Sequence, residues 1–186
     1  MIDFVSLCKR TATLFRTSVA CLCLMSAGVV QAEVEPVSKA LLKQAIHAIT
    51  AKDRTAAMIT VDANNQPRVR TVEVRPPDDD LVFWIATKPN TRKVEQLRAN
   101  PKVTLYFNVD EEGSYVSVMG TATMHADVAL AKEITWREPS FRATFWPDFP
   151  ADYLLIRVQP KWIEVLGEGV SAHPVTWRPQ ALAIDQ

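Results

Sequence analysis

The chain has 186 residues, with 21 Lys and Arg against 21 Asp and Glu, and a formal net charge of zero at pH 7. A balance this even gives no electrostatic case for nucleic acid or an anionic membrane as the main partner. Cys8, Cys21 and Cys23 all precede Leu24, and His47, His125 and His173 show no ligand spacing, so neither a disulfide framework nor a zinc site is expected beyond them.

Residues 1–32 read as a secretory signal peptide. Lys9, Arg10 and Arg16 precede a short apolar run over 18–30, and Val30-Gln31-Ala32 supplies the cleavage pattern. The run is shorter than the about 20 apolar residues that a membrane span needs. Cleavage after Ala32 and export to the periplasm are therefore expected, with no stable membrane span afterwards. Residues 33–186 then form one domain, with a core over about 38–167 and a C-terminal tail over 168–186. They carry 18 basic and 20 acidic residues, a net of −2.

Leu41, Leu42, Ala45, Ile46 and Ile49 recur at helical spacing, predicting a helix over 37–49 with Ser38 as its cap. An apolar strand over 56–61 leads through the turn cluster 62–67 into an alternating strand over 68–75. Pro76-Pro77-Asp78-Asp79-Asp80 breaks the chain, and residues 81–86 are apolar throughout, as in a strand buried on both faces. A helix follows from Asn90 or Thr91 to Asn100, stopped by Pro101. Strands are predicted over 102–108 and 115–124, joined at a hairpin turn over 110–113. A further helix is expected over 127–137, a rigid loop over 146–150, and a last pair of strands over 153–158 and 161–166 around Pro160. The tail shows little pattern. Short turns join most strands, which predicts a mostly antiparallel β-barrel with peripheral helices.

One stretch carries chemistry. Lys88, Arg92 and Lys93 crowd the start of the 90–100 helix, where the macrodipole favours acids and cations cost about 0.3–1 kcal/mol each. Free backbone N–H groups, the Thr91 hydroxyl and basic side chains make a phosphate pocket. Each element also has a plain reading. Arg68 and Arg70 lie two apart on a strand, as on one solvated face, and Thr91 suits an ordinary N-cap.

Residues 66–72, 81–87, 91–93 and 100–107, taken in order, resemble the pyridoxamine 5′-phosphate oxidase-like, FMN-binding split-barrel superfamily. Residues 146–164 resemble its general stress protein branch. The resemblance implies a split β-barrel, a homodimer, and FMN as cofactor. Arg70, with Arg68 and Val69 beside it, and Thr91, Arg92 and Lys93 would hold the phosphate. Thr71, Val72, Ala86 and Thr87 would line the ribityl chain and the ring. Deazaflavin and haem are the alternative cofactors that such a fold allows.

The chain departs from the oxidases of that family at several places. Arg75 stands where they carry a Lys for the substrate phosphate, and Tyr115 where a Gln would meet the flavin. Their Arg-x-His motif is missing, leaving only Ser171-Ala172-His173-Pro174, and Glu164 is followed by Val165 instead of an aromatic residue. Flavin-mediated redox on a small-molecule substrate is the expected chemistry, and authentic pyridoxamine 5′-phosphate oxidation is not. A non-catalytic flavin-binding stress or sensor protein and a haem-handling barrel are the rival readings. No general acid or base is nameable. The aromatic cluster Trp136, Phe141, Phe145, Trp146 and Phe149 is expected in the core or at a dimer interface, with a role as lid over the ring as the second reading. Glu111, Glu112 and Asp78 to Asp80 are expected as turn acids.

Overall fold

The computed structural model describes residues 37–109, 113–134 and 137–184. The signal peptide expected over 1–32, the three cysteines, Trp136, Glu111 and Glu112 lie outside these residues. Among the described residues no helix is long and apolar enough to cross a membrane.

The order is α1 (Lys39–Lys52), β1 (Thr55–Val61), β2 (Pro67–Glu73), β3 (Phe83–Thr87), α2 (Arg92–Ala99), β4 (Lys102–Asn108), β5 (Tyr115–His125), α3 (Val128–Glu133), α4 (Pro139–Phe145), β6 (Leu154–Leu166) and β7 (Gln180–Ala183). All strand pairs are antiparallel, in the sheet order β2-β1-β4-β5-β6-β3, with β7 also on β6. β2 and β3 end that path. Past the end of β2, Arg75 bridges Trp84, which draws the two edges together at one end only. The sheet thus closes into a barrel that stays open between β2 and the far end of β3.

Alternation fills this barrel. Met58, Phe83, Ile85, Leu105, Phe107, Val118, Ile156 and Ile163 point inward and are buried. Leu42, Ala45, Ile46 and Ile49 of α1 join the same cluster. Ser38 caps α1, its Oγ accepting from the Leu41 N–H at 3.2 Å. β3 is buried on both faces as its composition predicts. Trp84 turns outward and packs with Leu155, Tyr153, Ala131 of α3 and Ile134 just after it in a second cluster. Leu81 and Val82 are buried but precede the strand. Leu81 has a positive φ of 59°, in a turn where the Asp78 carboxylate accepts from the N–H groups of Asp80 and Val82.

The structure corrects the sequence reading in several places. Pro160 does not separate two strands. β6 runs unbroken over Leu154–Leu166, and the β5–β6 register shifts between Met119 and Gly120, which faces Pro160. A proline lacks the ladder N–H and is tolerated at such a bulge. Gly120 permits the close approach, because a Cβ there would lie within 2.2 Å of the Gln159 carbonyl oxygen. The helix expected over 127–137 stops at Glu133, and a separate helix, α4, begins with Pro139 in its first turn. The strand expected over 68–75 ends at Glu73. The tail supplies β7, which pairs Ala181 with Glu164 and Leu182 with Ile163.

Candidate functional site

A trough made of two adjoining spaces lies where the barrel is open. Its apolar end, about 480 Å³, lies between Thr71, Val72, Ala86 and Thr87 on the strands and Phe141, Phe145, Trp146 and Tyr153 across from them. Glu73, Lys88, Arg137 and Arg142 complete its lining. The basic end, about 340 Å³, is lined by Arg68, Val69, Arg70, Arg92 and Gln96. Thr91 and Lys93 line both ends, so the two spaces adjoin at these residues. The structure therefore gathers every residue singled out in the sequence for phosphate or ring contact around one trough.

Local structure explains the basic end. β3 stops at Thr87, and α2 starts at Arg92 after the turn 88–91. The Thr91 carbonyl accepts from the N–H groups of Val94 at 2.9 Å and Glu95 at 3.2 Å. The N–H groups of Arg92 and Lys93, in the first turn, have no intrahelical acceptor. Thr91 makes no side-chain cap; its hydroxyl donates to the Lys88 carbonyl at 3.3 Å. The ordinary N-cap reading of Thr91 is thus not what the structure adopts.

Arg70 and Arg68, alike in sequence, are held differently. Arg68 Nε donates to Asp62 Oδ2 at 2.7 Å, and this bond, with that from the Gln66 N–H, lowers the Asp62 pKa. Arg70 meets only neutral groups. Its Nη1 donates to the Met58 carbonyl at 3.1 Å and to Thr60 Oγ1 at 2.7 Å, and its Nη2 to Gln96 Oε1 at 2.9 Å. Thr60 Oγ1 in turn donates to Gln96 Oε1 at 2.6 Å, which closes the network. Of the five guanidinium N–H groups, Nε–H and one on Nη2 remain free to grip a ligand. Gln96 went unnoticed in the sequence, although it lies one turn from Arg92, on the same face of α2.

The electrostatics favour an anion. Burial and the nearby Arg92 charge lower the pKa of Arg70; burial and then the Arg70 charge lower that of Lys93. Among the described residues, no carboxylate forms an ion pair with Arg70, Arg92 or Lys93. Like charges gathered without a counter-charge raise one another's cost, and a bound dianion relieves it.

The expectation of core packing holds for Trp146 and Phe149, which rest against the second cluster, and not for Phe141 and Phe145 of α4. No residue of α4 is buried, and Phe145 is 51% exposed. Phe141, Phe145 and Trp146 wall the trough, close to the lid reading, while Trp146 and Phe149 rest edge-on against Tyr153 at 5.1 and 5.2 Å. At seven residues, with Phe141 and Phe145 as its large apolar side chains, α4 has no apolar stripe wide enough to bury. Arg75 sits at the Trp84 bridge, Tyr115 stacks on Tyr106 at 5.5 Å, and neither lines the trough. His173 Nδ1 accepts from the N–H groups of Val175 and Thr176 and shapes the tail loop. None of the three histidines reaches the trough lining.

Comparison with known proteins follows this geometry. The family model for pyridoxamine 5′-phosphate oxidase matches residues 42–167. The pyridoxine/pyridoxamine 5′-phosphate oxidase of Yersinia enterocolitica is 32% identical over 106 residues, 56% of this chain and 48% of its own. The chain thus spans about half the length of that relative. General Stress Protein 26 from Bacillus anthracis superposes with a TM-score of 0.60 at 24% identity, covering 76% of this chain and 98% of that one. A pyridoxamine 5′-phosphate oxidase-related, FMN-binding protein from Nostoc punctiforme does so with a TM-score of 0.54 at 16% identity, covering 80% and 97%. Likeness at these identities shows the fold, a split β-barrel.

Proposed function

This chain belongs to the pyridoxamine 5′-phosphate oxidase family of split barrels, and we propose that its trough holds FMN for redox chemistry on a small substrate. The observation that carries this is the contrast between two adjoining spaces that share Thr91 and Lys93. Among the described residues Arg70, Arg92 and Lys93 pair with no carboxylate at one end, and an apolar slot lies at the other. A flat, mostly apolar ring with a phosphate tail matches both ends at once. Arg70, Thr91, Arg92 and Lys93 would hold the phosphate, with Arg68 and Val69 at its border. Thr71, Val72, Ala86 and Thr87 would face the ribityl chain and the ring. Bound flavin supplies the electron transfer; the protein orients it and excludes water. The purified protein is expected to be yellow and to release FMN on denaturation. A Soret band would favour haem, and a colourless protein indifferent to added FMN would sink this reading.

Lys93 gives the site a pH signature. Its lowered pKa means that FMN affinity is full at neutral pH and declines as pH rises toward and past the lowered value, which lies below 10.5. The ligand-free fold should do the reverse and gain stability over that range, because the unfolded chain holds the Lys93 proton more tightly. FMN titrations from pH 7 to pH 11 check both the decline and its flattening in Lys93→Gln.

Export after cleavage at Ala32 and homodimerisation belong to the same proposal. The second copy is supported by an outward row in register across four strands, Ile59, Thr104, Met119 and Trp162. Beside it lies Tyr106, 36% exposed, and Trp162 itself is 43% exposed. Sedimentation should give twice the chain mass for the native protein and a monomer for Met119→Glu. A native monomer at micromolar concentration would remove the dimer from the proposal.

A further inference from the structure

We propose that α4 is a lid over the apolar end of the trough, hinged at residues 146–152 and latched by the Glu73–Arg137 ion pair. Glu73 and Arg137 are then positioning residues for the occupant, which, resting on the reading above, is the flavin ring.

The latch is visible in one guanidinium. Arg137 Nε lies 2.6 Å from Glu73 Oε1 at the end of β2, and its Cζ sits 4.7 Å from the Phe141 ring centroid on α4. Arg137 therefore ties one lip of the barrel opening to the lid helix. Both residues of the pair line the trough, so the tie crosses it.

The lid itself has little else to hold it. α4 buries no side chain. Phe141 and Phe145 stack on each other at 4.6 Å, line the trough, and meet Trp146 at 6.4 and 6.0 Å. An element with so few buried contacts opens at low cost. At the other end, Trp146 rests on buried Tyr153, and Arg142 covers Phe149 at 4.5 Å, which fixes the pivot.

The hinge carries unsatisfied polar atoms. The Trp146 indole N–H and both Asp152 carboxylate oxygens are buried with no hydrogen-bond partner. Lys88 Nζ faces Asp152 Oδ2 at 3.6 Å, an ion pair too long to count as a hydrogen bond. Buried groups of this kind are rare in a settled arrangement. A segment so little tied by hydrogen bonds is suited to move when a ligand enters.

The tie is partly exposed, so its effect is modest and screened by salt. Removing it should speed amide exchange over residues 141–146 about three- to tenfold, by the usual size of an exposed pair plus a cation–π contact. Hydrogen exchange on the ligand-free full chain tests this in Arg137→Gln, Glu73→Gln and the swap Glu73→Arg with Arg137→Glu. Both single variants should lose α4 protection, and the swap should recover the ion-pair part of it though not the part due to the Arg137–Phe141 contact, while α1 exchange stays unchanged in all three. In the FMN-loaded protein, the single variants should release FMN faster by a similar factor. Unchanged α4 exchange in both single variants, or no recovery in the swap, overturns the latch. Failure of the native chain to bind FMN would overturn the cofactor reading instead, and the exchange result would still judge the latch.

Discussion

Replacing Arg70 with Ala is expected to weaken FMN binding about 100-fold, roughly 3 kcal/mol, from the loss of two charge-assisted hydrogen bonds to the phosphate. The fork explains the size. Three of its N–H groups are spent on Met58, Thr60 and Gln96, which hold the guanidinium still. The remaining pair meets the ligand without ordering cost, the usual gain from preorganisation. Arg70→Lys keeps a charge but no fork, and about tenfold is expected for it. Riboflavin, which lacks the phosphate, should bind the native protein and Arg70→Ala almost equally. Calorimetric titration with both ligands checks this, with thermal melting as the control on folding. The Thr60 to Gln96 hydrogen bond at 2.6 Å survives the substitution, so little stability should be lost. An FMN affinity within twofold of native would place the phosphate elsewhere.

The largest effect on stability is expected at Gly120, where Ala should cost about 3 kcal/mol and lower the melting temperature by roughly 10 °C. The added Cβ would lie 2.2 Å from the Gln159 carbonyl oxygen and 3.0 Å from the Pro160 Cα. Both are backbone atoms of the longest strand, so neither yields as a side chain would. β6 pairs with β5, β3 and β7, and a shift there disturbs all three ladders. Gly113→Ala is the control. Its φ of 81° is strained for alanine, but nothing lies within 4 Å of the new Cβ, so about 1 kcal/mol is expected. Calorimetric melts of the two variants separate crowding from backbone strain. Equal losses would mean that the approach of β6 to Gly120 is not what limits the site.

Much of the fold was legible because it is local. The 3.6 period of Leu42, Ala45, Ile46 and Ile49 placed α1, and the 2.0 period of Val103, Leu105 and Phe107 placed β4 with both its ends. The continuous apolar stretch around Phe83 and Ile85 was read as buried on both faces, and the second face is the one under α3. What failed was the weight given to prolines. Pro160 looked like a break because a ladder N–H is missing there. The break never forms, since Gly120 sits opposite on a strand that is 40 residues away in the chain. β7 was missed for a related reason. Four residues pairing only along one edge of β6 need no strong pattern of their own.

The site divides along the same line. The basic helix start and the arginine strand were visible as residue types in the wrong electrostatic place, and the order of segments pointed to a phosphate ligand. Sequence could not distinguish Arg68 from Arg70, because both lie on one strand face. Their difference comes from Asp62 in the turn and from Thr60 and Gln96, brought together by β1 and α2. Likewise, a stretch rich in Phe and Trp has the composition of a core, and only the placement of α4 shows those rings facing the trough. By itself the sequence determined most of the barrel's strands, the family and the gathering of cations at one helix start, since periodicity and charge are properties of short segments. The tertiary structure decided which arginine pairs with a carboxylate and which does not, which aromatics stay unburied and where the barrel stays open. Those depend on contacts between residues far apart in the chain, whose free energies no local pattern records.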